Sequence, residues 1–247
     1  MLDQVMCSRS QRTPNIVSDT YDPSKAITKQ LLLNPSGKDL VILFPPWHNG
    51  GRIFDHLAIR IARAGRAVLH HNFADEILQA DTATVIASFR QIRDEVSYNV
   101  NGLAPQYRTI HLFGASLGNV SMAYTATRLD NFDSAQTVVA GSDLATCTLD
   151  GLRTQSIRHE FEQAGITRTD LIESWHEIAP ATSAFAFSNR PVSAVISARD
   201  NVISTESQIE LLKAFDATGA KLNTRITKLG HYATVAQFCT SGVIAGS

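Results

Sequence analysis

Residues 114–118 read Gly-Ala-Ser-Leu-Gly, and they join a short apolar run to a stretch with helical periodicity. A serine at such a strand-to-helix turn adopts unfavourable backbone angles that lift its hydroxyl above the carboxyl edge of a sheet. Glycine suits both flanks, because a side chain at either place would collide with a neighbouring strand or helix. The first amides of the following helix would face whatever the hydroxyl attacks. The segment therefore predicts Ser116 as a nucleophile.

A serine hydroxyl is a weak nucleophile, so Ser116 needs a base, and the base needs a carboxylate that orients it. His231 is the preferred base because it follows the last predicted strand and would lie at the same edge of the sheet. His70 and His71 end an earlier predicted strand and are its rivals.

Two carboxylates could orient this base. Asp200 is preferred because it lies directly beyond one predicted strand and before a helix. Asp143 follows the preceding strand and stays the alternative acid. Either choice keeps the chain order nucleophile, acid, histidine.

The elements that would position these residues are short apolar runs, each followed by a longer amphipathic stretch. This rhythm is typical of an α/β fold with a largely parallel sheet. Strands are predicted at 40–44, 66–73, 109–113, 136–140, 190–196 and 223–228, with edge strands in 15–20 and 26–33. Helices are predicted at 83–98, 117–129 and 205–215, and a short one is predicted after His231. A further helix is predicted where Ile53, Leu57, Ile61 and Ala64 fall on one face.

About fifty residues between the predicted strands at 136–140 and 190–196 contain no clear strand. Two helices are predicted there, one with Ile157, Phe161 and Ala164 on a face and one with Leu171, Trp175 and Ile178. The segment is too long for an ordinary connection and is interpreted as a structured insertion. No repeat or linker divides the chain, so we expect one domain over residues 1–247.

With these residues in place, the sequence resembles the α/β-hydrolase superfamily from about residue 40 to about residue 238. Ser116 matches the nucleophile of that family, Asp200 its acid and His231 its base, and residues 200–203 (Asp-Asn-Val-Ile) match its pattern around the acid. The resemblance implies a mostly parallel sheet of about six to eight strands with helices on both faces. It also implies that residues 143–189 form a helical cap, inserted after the sixth strand, that acts as a lid.

The loop after the first strong strand departs from the family pattern. Many members carry His-Gly there, whereas this chain has Phe44-Pro45-Pro46-Trp47-His48. Proline has no amide proton to donate, so the first available amide is that of Trp47. We expect the backbone amides of Trp47 and Leu117 to form the oxyanion hole. A Pro-Pro-Trp loop is similar to that of polyhydroxyalkanoate synthases, but those enzymes use cysteine where this chain has Ser116.

The chemistry that fits these residues is cleavage of a carboxylic ester through a covalent acyl-enzyme. Trp47, Phe44 and the apolar faces of the insertion favour an apolar acyl pocket. The same residues could serve a thioesterase or an acyltransferase. The alternative that is not an enzyme is a noncatalytic member of the fold that uses the pocket to bind a ligand.

The charge balance and the cysteine spacing indicate which partners and metals to expect. The 22 basic and 23 acidic residues nearly cancel, which argues against nucleic acid as a partner. The expected partner is a small-molecule acyl ester, because the candidate catalytic residues suit that substrate. Three distant cysteines (Cys7, Cys147 and Cys239) include no Cys-x-x-Cys pair, so no structural metal is expected. His70 and His71 with Asp75 are a poor metal site because adjacent strand residues point to opposite faces.

Neither a phosphate-binding glycine loop nor a dinucleotide fingerprint occurs, and no cofactor is expected. The N-terminus lacks the apolar core of a secretory signal, and no run of eighteen apolar residues occurs. We therefore expect a cytoplasmic protein without stable membrane insertion. The sequence does not determine the oligomeric state.

Overall fold

Eight strands form one sheet in this computed structural model, which describes residues 15–18 and 26–241. The strands are β1 (Asn15–Ser18), β2 (Ile27–Leu33), β3 (Asp39–Phe44), β4 (Ala67–Phe73), β5 (Thr109–Ala115), β6 (Ser134–Val138), β7 (Pro191–Ser197) and β8 (Lys221–Thr227). Their order across the sheet is β1-β2-β4-β3-β5-β6-β7-β8.

Strand direction is nearly uniform. β2 pairs antiparallel with β1 and with β4, and every other neighbouring pair is parallel, so within the described sheet β2 alone runs against the rest. The mostly parallel α/β sheet predicted from the sequence is confirmed. Cys7 and the N-terminal segment assessed for a secretory signal lie outside the described residues.

Helices cover both faces of the sheet. They are α1 (Arg52–Arg63), α2 (Thr82–Leu103), α3 (Gly118–Ala126), α4 (Leu144–Asp150), α5 (Gln155–Gln163), α6 (Arg168–Ser174), α7 (Thr205–Ala217) and α8 (His231–Ser241). None of the helices in the described part of the chain combines the length and the apolar character of a membrane span.

Alternation along β3 shows how the sheet divides the core. Val41 and Leu43 share one core with residues of α1 and α8. Leu40, Ile42 and Phe44 belong to the other core, with residues of α2, α3 and α7. A strand buried on both faces reads as a continuous apolar run, which is why residues 40–44 predict a strand so clearly.

The buried face of α1 differs from the predicted one. Ile53 is 41% exposed, and Ala64 follows the last helical residue. The face that packs on the sheet is Phe54, Leu57, Ala58 and Ile61. The buried stripe therefore keeps Leu57 and Ile61 of the predicted one but has Phe54 and Ala58 in place of Ile53 and Ala64.

β6 lies two residues earlier than predicted. Val139 has a φ of 47°, which is outside the extended region and ends the strand after Val138. Val139 and Ala140 are buried all the same, so their apolar character reflects core packing beyond the strand.

Three helices, α4 to α6, occupy the segment between β6 and β7. The two predicted helices correspond to α5 and α6, whereas α4 was not predicted. With seven residues and two threonines, α4 is too short to show a helical period. The Trp175 indole donates to the carbonyl oxygen of Thr82 at 3.4 Å, and Arg90 forms a two-pronged ion pair with Glu177. These contacts tie the segment to α2.

Candidate active site

Ser116 lies between the end of β5 and the start of α3, with a φ of 51°. A non-glycine residue in this region is strained, and such strain concentrates at functional sites. The Ser116 amide donates to the carbonyl oxygen of Val138 at 3.0 Å, which holds the turn against β6.

The two glycines of the turn are required by their surroundings. A β-carbon at Gly118 would overlap the carbonyl oxygens of Phe44 and Pro45. A β-carbon at Gly114 would lie 2.8 Å from Oδ1 of Asn119 and 3.1 Å from the sulfur of Met122. Both positions therefore admit only glycine without a shift of neighbouring atoms.

His231 and Asp200 meet Ser116 at the carboxyl edge of the sheet. Nε2 of His231 lies 3.0 Å from Oγ of Ser116. Nδ1 of His231 lies 2.8 Å from Oδ2 and 3.1 Å from Oδ1 of Asp200. The imidazole tautomer with its proton on Nδ1 satisfies both contacts, because Nδ1 then donates to the carboxylate and Nε2 accepts from the serine hydroxyl. The structure thus brings these three side chains together as the sequence predicts.

The Asp200 carboxylate is held by the loop that follows it. Its Oδ1 accepts from the amides of Val202 at 2.8 Å and Ile203 at 2.9 Å. The Gln208 side chain donates to Oδ2 at 3.3 Å. The side chains of Asp200 and His231 are 0% and 3% exposed, so the hydrogen bonds between them are shielded from water. Donors of this kind fix the orientation of the carboxylate.

Asp143, the alternative acid, has a different set of partners. Its Oδ1 accepts from the amide of Thr146 at 2.6 Å and caps the N-terminus of α4. Its Oδ2 accepts from the hydroxyl of Ser142 at 3.3 Å. Asp143 therefore lies near the site but is not the carboxylate that contacts His231.

The rival histidines lie on β4 and face away from each other. Nε2 of His70 is 3.2 Å from Oδ1 of Asp55. His71 contacts the Gln30 side chain at 2.7 Å, and burial lowers the pKa of its imidazole to about 3. Neither histidine shows a contact with Ser116 among the described residues.

Asp75, which the sequence groups with those histidines, pairs instead with His48 at 3.0 Å. Within residues 15–18 and 26–241, no group of three or more His, Cys, Asp or Glu side chains is arranged to hold a metal ion.

The loop that carries Trp47 is fixed to the end of β4. His48 and Asn49 have φ values of 58° and 57°. The Asn49 side chain accepts from the Phe73 amide at 2.6 Å and donates to the Phe73 carbonyl oxygen at 2.9 Å. The Trp47 indole donates to the carbonyl oxygen of Asp75 at 2.9 Å. The loop is thus held in place despite its strained backbone.

A pocket of about 520 Å³, including its open mouth, lies beside Ser116. Its lining is mainly apolar and comprises Trp47, Leu78, Leu117, Val120, Leu144, Pro180, Val202 and Ile203, together with Asn119, Gly141, Asp143, Cys147, Thr148 and Thr154. Phe44, expected at an acyl pocket, is instead fully buried in the core.

Cys147 lies in the wall of this pocket but is not a second nucleophile. Burial raises the pKa of its thiol to about 12. The reactive form of cysteine is the thiolate, so this thiol is inert near neutral pH.

Sequence reasoning missed Asn119, which lies directly after the second glycine of the turn. It is 1% exposed, lines the pocket and hydrogen-bonds to the backbone around Ser116. One feature could have drawn attention to it: Asn119 is an asparagine near the start of a helix whose residues 118–126 are all buried.

Comparison with known proteins supports the fold. No protein-family model matches the sequence, and no curated protein matches it. The structure is similar to an esterase, Pf2001, of Pyrococcus furiosus, with a TM-score of 0.64, 13% identity, and coverage of 93% of this chain and 88% of that one. It is similar to an acetyl xylan esterase from Paenibacillus sp. R4, with a TM-score of 0.64, 12% identity, and coverage of 93% and 88%.

A third similar structure is the acylaminoacyl peptidase of Pyrococcus horikoshii, with a TM-score of 0.60 and 16% identity. The match covers 84% of this chain but 35% of the peptidase, so it concerns one part of a longer protein. Together with the strand order and the turn at Ser116, these likenesses show that the chain has the α/β-hydrolase fold.

Proposed function

We propose that the protein is a serine hydrolase that cleaves carboxylic esters. One observation carries the proposal: the hydrogen-bonded series Ser116 Oγ, His231 Nε2, His231 Nδ1 and Asp200, with Ser116 on a strained turn beside a pocket. A serine, a histidine and a buried carboxylate in this order are the groups that acyl transfer through serine requires.

In the first half of the reaction, Ser116 Oγ attacks the ester carbonyl carbon while its proton moves to Nε2 of His231. Asp200 stays ionised, keeps the imidazole in the required tautomer and stabilises its charged form. The tetrahedral intermediate then collapses, the bond to the leaving alcohol breaks, and Nε2 returns the proton to that oxygen. An acyl-enzyme on Ser116 remains.

In the second half, His231 takes a proton from water, and the resulting hydroxide attacks the acyl carbon. Collapse of this intermediate breaks the bond between the acyl carbon and Ser116 Oγ, Nε2 of His231 returns its proton to Oγ, and the carboxylic acid leaves. The chemistry draws on the side chains of this chain and water, without a cofactor.

The backbone amides of Leu117 and Trp47 would stabilise the oxyanion in both halves. Leu117 is the N-cap residue of α3, where helix amides have no partner within the helix. Trp47 is the first residue after two prolines and lines the same pocket as Ser116 and Leu117. Donors of this kind are most effective where water is excluded.

The apolar lining favours an apolar acyl group. Residues 143–189 would act as the cap of this pocket, since Leu144, Cys147, Thr148, Thr154 and Pro180 all line it. Asp143 also lines this pocket, and its Oδ1 caps α4.

Labelling with a fluorophosphonate, followed by mass mapping, tests the proposal. We expect one modified residue, Ser116, and no labelling of Ser116→Ala. Ser121→Ala is the matched control, because Ser121 is a buried serine of α3 that does not line the pocket. An unlabelled wild-type protein, or labelling that persists in Ser116→Ala, would refute the assignment of Ser116 as the nucleophile.

A series of oxygen esters, thioesters and amides with the same acyl group then separates esterase from thioesterase and peptidase activity. Added alcohol acceptors reveal transfer of the acyl group.

A further inference from the structure

Asn119 makes contacts on both sides of the strained serine. Its side-chain Nδ2 donates to the carbonyl oxygen of Ser116 at 3.1 Å and to that of Val138 at 3.0 Å. Because both neighbours are acceptors, the amide nitrogen must be the atom that faces them. The side chain is 1% exposed, so water does not compete for these bonds.

The backbone completes this arrangement. The Asn119 amide donates to the Ser116 carbonyl oxygen at 2.9 Å, and the Ser116 amide donates to the Val138 carbonyl oxygen at 3.0 Å. The oxygens of Ser116 and Val138 each accept two hydrogen bonds, and Nδ2 of Asn119 bridges them. The peptide groups on either side of the Ser116 α-carbon are therefore both fixed.

Backbone strain is present directly after both of the strands that this bridge connects, β5 and β6. Ser116 has a φ of 51°, and Val139, which follows Val138, has a φ of 47°. Positive φ is a genuine outlier for a β-branched residue such as valine. Backbone strain of this kind persists only where surrounding contacts hold it. The Asn119 side chain lies where it can hold both turns.

Fold stability alone does not account for an asparagine at this position. Its Oδ1 is buried and has no hydrogen-bond partner among the described residues. A buried oxygen left in this state costs about 1–3 kcal/mol. The same Oδ1 is also the atom that a β-carbon at Gly114 would meet at 2.8 Å.

We propose that Asn119 is a positioning residue, and this rests on the proposed function. By bridging the carbonyl oxygens of Ser116 and Val138, it holds the turn in the conformation that aims the serine hydroxyl at Nε2 of His231. Its side-chain hydrogen bonds go to these two carbonyl oxygens, so it acts through the turn and not on the reacting atoms. It limits the orientations that the Ser116 hydroxyl can adopt. This matters because a reacting group that is misplaced by about 1 Å can lose about 100-fold in rate.

Asn119→Ala and Asn119→Asp test this proposal, because the first removes the amide and the second keeps its size without the N–H donors. We expect kcat with a p-nitrophenyl ester and the rate constant of fluorophosphonate labelling to fall at least about tenfold in both variants, with KM changed less than about twofold. In Asn119→Ala the midpoint of the pH–rate profile should stay at its wild-type value, because His231 remains the base and the substitution introduces no charge.

Thr125→Val is the matched control, since Thr125 is a fully buried residue of α3 whose hydroxyl has no partner among the described residues. It should keep the wild-type kcat even if its melting temperature changes as much as that of Asn119→Ala. Wild-type kcat and labelling rate in a folded Asn119 variant would overturn the proposal. Failure of both Asn119 variants to fold would assign the residue to fold stability and overturn it equally. Failure of the wild-type protein to label would refute the proposed function instead, so the two failures are distinct.

Discussion

Gly118 lies directly against the backbone of Phe44, so close that a β-carbon on Gly118 would overlap the Phe44 carbonyl oxygen. This approach joins the first turn of α3 to the end of β3. The nucleophile turn and the loop that begins with Pro45 therefore share one packing contact. Two parts of the site that are about seventy residues apart in the sequence are positioned together by the absence of one side chain.

Gly118→Ala should consequently destabilise the protein. Neither carbonyl oxygen that the new methyl group meets can move without moving β3, and overpacking of this kind costs about 1–3 kcal/mol or more. Gly102→Ala is the matched control, because Gly102 is an exposed helical glycine whose β-carbon would meet nothing within 4 Å. That variant should lose no stability and gain up to about 1 kcal/mol. Urea unfolding of both variants measures the difference, and equal stabilities would contradict the close approach at Gly118.

Asp200→Asn should lower kcat far more than Asp143→Asn. An amide at position 200 cannot accept the Nδ1 proton as a carboxylate does, and loss of such a carboxylate costs on the order of 10⁴-fold in kcat. Asparagine at position 143 can still cap α4, so that variant should lose less than about tenfold. Steady-state kinetics with one ester decide between them. The opposite ranking would make Asp143 the functional acid.

The convergence of three side chains could be predicted because strand ends are visible in the sequence. Ser116, Asp200 and His231 each follow a predicted strand, and the carboxyl ends of parallel strands meet at one edge of the sheet. No knowledge of side-chain contacts is needed for that step.

The choice between Asp200 and Asp143 could not be made in this way. Both follow strands at the same edge, and what separates them is the direction of each side chain. Asp143 turns toward the first turn of α4, a helix too short to be recognised from its periodicity. The contacts of Asn119 depend in turn on the positions of two backbone carbonyl oxygens, those of Ser116 and Val138, which no residue pattern reveals.

Trp47→Pro compared with Trp47→Ala isolates the contribution of one backbone amide. Both variants remove the indole, but only proline removes the N–H. Proline should fit, because Trp47 begins a short 3-10 helix and Pro46 before it is extended, with φ −67° and ψ 172°. If this amide donates to the oxyanion, kcat should be about 100- to 1000-fold lower in Trp47→Pro than in Trp47→Ala. Equal kcat values would remove Trp47 from the oxyanion hole.

His71 should make the protein less stable as the solution becomes acidic. Burial lowers the pKa of the folded-state imidazole to about 3, whereas an unfolded histidine titrates near about 6.5. Between these values the unfolded chain binds a proton that the native protein does not, so the free energy of unfolding falls with pH by up to about 1.4 kcal/mol per unit. The loss of unfolding free energy from this group would level off only below the folded-state pKa of about 3.

Replacement of that imidazole should remove this part of the pH dependence. Between pH 6.5 and 5, the unfolding free energy of the wild-type protein should fall about 1.5–2 kcal/mol more than that of His71→Gln. The difference between the two proteins is the quantity to measure, because burial also lowers the pKa of His111 and this contribution is common to both. His159→Gln, at a histidine whose side chain is 67% exposed, should follow the wild-type curve. Denaturant titrations at several pH values give the unfolding free energy of all three proteins as a function of pH. Parallel curves for the wild type and His71→Gln would contradict a depressed pKa for the buried imidazole.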